Sequence, residues 1–169
     1  MKQLVLSLFF CLLFPAIAFA GEKMEGYGKS RWGMTPSQVV SAENGRAHFI
    51  NPPAKYNAAL GSVGIDKVSI GYHDFKVVYQ FTNEHLTQVI VQSIENMNSG
   101  INTQSFMNVE SLLTQKYGQP SFKAEGKNVV WNQPGTTIEL SHLNIPGVTS
   151  LVTVRYTPAS QTTKSTDNL

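Results

Sequence analysis

The chain of 169 residues carries 13 basic and 11 acidic side chains, a net charge of +2, with no run of one sign. Phosphate binding needs a clustered basic footprint, so this pattern argues against nucleic acid as a partner. The single cysteine, Cys11, sits inside an N-terminal apolar run, so removal of that run excludes disulfides, thiol catalysis and cysteine-ligated metals.

That run has three parts. Met1-Lys2-Gln3 is short and positive, Leu4 to Phe14 is apolar except for Ser7, and Ala18-Phe19-Ala20 presents small residues before Gly21. This is the layout of a secretory signal peptide, and it predicts cleavage between Ala20 and Gly21. A spanning helix needs ~20 apolar residues, whereas Leu4 to Ala20 is shorter and contains Pro15. Phe9 and Phe10 precede Cys11, where a lipoprotein signal carries small residues. The mature chain is expected to be periplasmic or secreted, without a transmembrane anchor.

Residues 21–30 read as a small, polar, flexible lead-in. Trp32-Gly33-Met34-Thr35 then opens a helix. Thr35 is a good N-cap, Pro36 suits the first helical position, Gln38 completes a capping box, and Met34 and Val39 occupy the positions of a hydrophobic staple. The helix is expected to stop near Asn44-Gly45. Residues 46–64 lack periodicity and contain Asn51-Pro52-Pro53, which predicts a long loop.

Three strands are expected next. Val68, Ile70 and Tyr72 alternate with Lys67, Ser69 and Gly71, and Phe75, Val77, Tyr79 and Phe81 alternate with Lys76, Val78 and Gln80. Thr82 to His85 forms a hairpin loop. Leu86 to Ile94, apolar on both faces at Val89-Ile90-Val91, is expected in the sheet interior. A second helix begins near Asn102 or Thr103, with Phe106, Val109, Leu112, Leu113 and Tyr117 on its apolar face, and closes at Gly118 before Pro120. Three more strands are read at Asn128–Asn132, Thr136–His142 and Ser150–Thr157. Trp131 would close a sheet edge. The tail over 158–169 is almost without apolar residues and is expected to be disordered.

The expected fold class is α+β: tandem helix–β–β–β modules over 31–95 and 102–157, forming one domain over 31–157. Links within each half are too short for crossover helices, so the sheet or sheets should be antiparallel, with helices packed on one face.

The Trp32-Gly33-Met34-Thr35 helix start, the Tyr79-x-Phe81-x4-Leu86 hairpin, and Leu112-Leu113-x-x-Lys116-Tyr117-Gly118-x-Pro120 followed by Trp131 resemble a loose group of small secreted bacterial proteins of unknown function. More distantly, the module is similar to the β-lactamase-inhibitor-protein-like fold, which includes the small lipoprotein of the outer-membrane protein assembly machinery. The resemblance implies a fold, an envelope location and action by binding other proteins. It brings no catalytic residue.

His48, His73, His85 and His142 have no metal-ligand spacing, and no cofactor or glycine-rich phosphate loop is indicated. Glycoside hydrolysis needs two positioned carboxylates. Glu110 and Glu139 are the acids within expected elements, with Glu139 placed for a cross-strand ion pair to Arg155. Trp32, before the staple that pins the helix, and Trp131, at a sheet edge, suit structural use better than a stacking platform. The sequence therefore leads to a non-enzymatic protein that binds another envelope protein. Lys76, Gln80, Gln88 and Gln92 mark the sheet face of interest. The first alternative is a binder of a lipid or peptidoglycan fragment, held between the sheet and residues 46–64. The weaker one is a hydrolase with an unrecognised site, for which Glu139 and His142 are the obvious residues.

Overall fold

The computed structural model describes residues 25–161. The expected signal peptide with Ala20 and Gly21, Cys11, and the tail beyond residue 161 lie outside the described residues. Helix α1 spans Pro36–Ala42 and is followed by strands β1 (His48–Tyr56), β2 (Ala59–Ile70), β3 (His73–Thr82) and β4 (His85–Ser93). Helix α2 (Ser99–Tyr117) leads to β5 (Phe122–Ala124), β6 (Asn128–Gln133), β7 (Thr136–Ile145) and β8 (Thr149–Pro158). All eight strands join one antiparallel sheet in the order β1-β2-β3-β4-β8-β7-β6-β5. The last strand thus returns beside the fourth, and α2 carries the chain between the two meanders.

The capping box is present: Gln38 N–H donates to Thr35 Oγ1 (3.4 Å) and Thr35 N–H to Gln38 Oε1 (2.9 Å). Met34 and Val39 both join the apolar core. Replacing Thr35 with alanine removes one side of the box and should cost about 1 kcal/mol of stability. Urea unfolding should show this as a lower midpoint with an unchanged slope.

Four strands per half replace the three expected. Residues 48–56 are strand despite Pro52-Pro53, because β1 is the outermost strand. Its outer N–H groups need no ladder partner, and a register shift between Phe49 and Ala54 absorbs the prolines. Strand β2 tolerates Gly61 and Gly64 because neighbours lie over them. A Cβ on Gly61 would stand 2.8 Å from Val78 and 2.9 Å from Tyr56, and one on Gly64 2.9 Å from Ile50. Tyr72 is not a strand residue. It occupies the β2–β3 turn after Gly71 (φ 60°) and is 98% exposed. The β3–β4 connection is only Asn83-Glu84, both at positive φ, the geometry of a tight hairpin turn.

Helix α2 starts earlier than expected. Asn98 caps it by accepting from Ile101 N–H (3.0 Å). Its buried face is Asn102, Ser105, Phe106, Val109 and Leu113, while Leu112 is exposed. Asn102 is buried because its Nδ2 donates to Glu95 O (3.1 Å) and Ser150 O (2.7 Å), tying the helix to β8. Trp131 is not an edge residue. It lies in β6, inside β5, fully buried, with Nε1 donating to Gly118 O (3.1 Å) at the end of α2. At the other end of the chain, Pro158 still belongs to β8, and residues 159–161 begin a helical turn.

The register explains the core. Ile65, Val77, Val91, Val154, Leu140 and Val129 face one another across six strands, and all are buried. They share one cluster with Val39 of α1 and Phe106, Val109 and Leu113 of α2. The alternate residues turn to the opposite face.

Candidate functional site

That opposite face is polar. One row across it runs Lys76, Gln92, Thr153, Ser141, Asn128. The next runs Val78, Ile90, Arg155, Glu139, Val130. Gln80 pairs with Gln88 nearer the β3–β4 turn. The β1–β2 hairpin forms a wall beside this face through Lys55 to Ala59, enclosing an open groove of about 650 Å³. Its floor includes Gln80, Gln88, Ile90, Gln92 and Arg155. Of the four face residues named from sequence, Gln80, Gln88 and Gln92 line the groove and Lys76 lies across from Gln92. Gln80 is nevertheless 2% exposed.

Side chains on this face hold one another in place. Gln88 Nε2 donates to Gln80 Oε1 at 2.9 Å. Arg155 is paired with Glu139, its Nε donating at 3.0 Å, and Asn128 Nδ2 donates to the other Glu139 oxygen at 3.1 Å. The Glu139–Arg155 pair expected from sequence is therefore present, between residues directly opposite in register. Arg155 is half-exposed, so solvent screens the pair. A double-mutant cycle with Glu139→Gln and Arg155→Gln should give a coupling of about 0.2–1 kcal/mol.

The other candidate residues do not assemble. Glu110 pairs with Lys123 (2.6 Å). His142 Nε2 lies 3.1 Å from Ser150 Oγ, with its ring 5.9 Å from that of Phe106. His48 lies near Asp66 (3.5 Å), and His85 Nδ1 lies 3.0 Å from Gly33 O. Among the described residues, no group of three His, Cys, Asp or Glu side chains could hold a metal ion, and no helix is long and apolar enough to cross a membrane.

The Trp32-Gly33-Met34-Thr35 segment is a structural joint. Gly33 N–H donates to Leu86 O (3.0 Å), Leu86 N–H to Met34 O (2.8 Å), and Trp32 Nε1 to Thr136 Oγ1 (3.0 Å). Gly33 holds φ 83°, which favours glycine.

One buried acid was missed from sequence. Glu43 follows α1, is 1% exposed, accepts from Lys29 N–H (3.2 Å) and lies 3.9 Å from Arg46 Nη1. Its spacing of four from buried Val39 was the available signal. Gly28, at φ 58°, lets Glu43 approach, since a Cβ there would stand 3.0 Å from Oε1. The expected flexible lead-in is thus packed where it is described. Ser30 is fully buried, and Tyr27 lies 4.8 Å from Tyr156 and 6.2 Å from Tyr79, centroid to centroid. Burial first, then the Glu43 carboxylate, push Tyr27 up to about 12 and Tyr79 still further. Burial, then Tyr117, push Tyr156 well above its ordinary value.

The fold is thus an α+β domain with one apolar and one polar sheet face. Comparison with protein-family models, curated proteins and solved structures gives no match, so the functional argument rests on the groove itself.

Proposed function

We propose that this chain is an exported, non-enzymatic envelope protein that binds another protein through the polar face of its sheet. The observation that carries the reading is the groove between that face and the β1–β2 hairpin. The order of helix and four-strand meander, repeated once, supports tandem modules whose helices share the apolar face and leave the other free. The N-terminal pattern ending at Ala20-Gly21 supports export to the periplasm or beyond. The likeness to small secreted bacterial proteins belongs to the same reading.

The test is site-specific photo-crosslinking in intact cells. A crosslinking residue in place of Gln92 or Thr153 should give a discrete protein adduct in the envelope fraction. The same residue in place of exposed Met107, on α2, should not. Equal adducts at all three positions, or none, would refute the reading.

A second reading is favoured by one observation. The groove wall comes from residues 46–64, where a bound peptidoglycan or lipid fragment was expected. Its polar floor suits the hydrophilic fragment better than a lipid chain. Adducts with glycan instead of protein would select it.

A further inference from the structure

We infer that the groove takes an acidic, carboxylate-bearing peptide segment of the partner, with Gln80 Nε2 as a donor at its floor. This rests on the reading of the groove as the binding surface.

The first observation is an unpaired donor. Gln80 is 2% exposed, and its Oε1 is taken by Gln88, yet among the described residues its Nε2 has no hydrogen-bond partner. Native proteins pair almost all buried polar groups. A donor left over at the floor of an open groove is matched by an acceptor that enters with a ligand.

The second observation is charge. Lys55 and Arg155 line the groove, and no Asp or Glu is among its described lining side chains. Lys76 stands on the same face, across from Gln92. Glu139 engages Arg155 from beside the groove and offsets part of that charge. Glu84, in the turn beyond Thr82, lies outside the lining. Among the described residues, Lys55 and Lys76 have no carboxylate offsetting them in this way. A neutral sugar hydroxyl would satisfy Gln80 equally but would make no use of these cations. A carboxylate answers both. Tyr56, lying over Gly61, adds a flat wall for the peptide chain.

The experiment is fluorescence anisotropy on the purified protein with three labelled dodecapeptides of alternating Glu-Ser, Gln-Ser and Lys-Ser. The Glu-Ser peptide should bind about tenfold more tightly than Gln-Ser at low salt and lose that advantage as salt rises. Gln80→Leu should weaken Glu-Ser binding about tenfold. Lys55→Glu, on the hairpin, should weaken it and flatten its salt dependence, which keeps the test valid should Gln80→Leu fold poorly. Equal binding of Gln-Ser with the same Gln80 dependence overturns the inference and leaves the groove as the binding surface. Preference for Lys-Ser, or Glu-Ser binding indifferent to both substitutions, also overturns it. Binding of none of the three overturns the inference and removes peptide binding from the groove reading.

Discussion

Replacing Trp131 with alanine is expected to remove about 3–5 kcal/mol of folding stability, the range for emptying a large buried aromatic site. Trp131 is fully buried in β6, faces Ile138 in register, and its indole N–H holds Gly118 O at the end of α2. The substitution therefore opens a cavity and leaves a carbonyl without its donor. Domains of this size have only about 5–15 kcal/mol in total, so the variant should be marginal at ambient temperature. Trp131→Phe separates the two effects. It keeps most of the apolar contact and loses the hydrogen bond, and should cost clearly less than the alanine variant. Urea denaturation followed by far-UV circular dichroism measures both. An alanine variant within about 1 kcal/mol of the parent would contradict the core described above.

Stability should fall steeply in alkali. Tyr27, Tyr79 and Tyr156 all have raised pKa values in the folded protein, Tyr27 at about 12, against about 10 in the unfolded chain. A raised folded-state pKa means that the native state holds its protons more tightly. The contribution is fully present below pH about 10 and disappears as pH rises through the folded values. As pH rises from about 10 toward the folded value of Tyr27, about 12, this residue should lower stability by about 1.4 kcal/mol per pH unit, and Tyr79 and Tyr156 act in the same direction. Absorbance at 295 nm and circular dichroism should then change together, with the three tyrosines ionising as the chain unfolds. Smooth ionisation of all the tyrosines with the fold intact would refute the buried cluster. Glu43→Gln removes one cause of the shifts on Tyr27 and Tyr79, and should move the alkaline transition modestly upward.

Much of the fold was legible because it is written in local signals. The Thr35-Pro36-Gln38 capping box, the alternation at Phe75 to Phe81 and the stop at Gly118 each depend on a few neighbouring residues. The errors fall where distant contacts override local preference. Pro52-Pro53 reads as a strand breaker, but an edge strand has no outer ladder to break. Gly61 and Gly64 read as loop residues, but Tyr56, Val78 and Ile50 fill the space above them. Asn102 reads as the start of a helix, but it lies inside α2 and its amide is used by Ser150, far along the chain.

The candidate site was half legible. Alternation alone assigned Lys76, Gln80, Gln88 and Gln92 to one sheet face, because side chains on a strand repeat every second residue. It also placed Glu139 and Arg155 on one face. It could not show that the β1–β2 hairpin walls that face, nor that Gln80 is buried there with one donor unpaired.

What the sequence determined by itself was the alternation, the caps and turns, and the scattered charge, since these are set by period and by neighbours. The tertiary structure decided the return of β8 beside β4, which makes one sheet of eight strands, and the burial of Glu43, Trp131 and Gln80. These depend on which strands become neighbours, and that choice is made by packing between segments far apart in the chain.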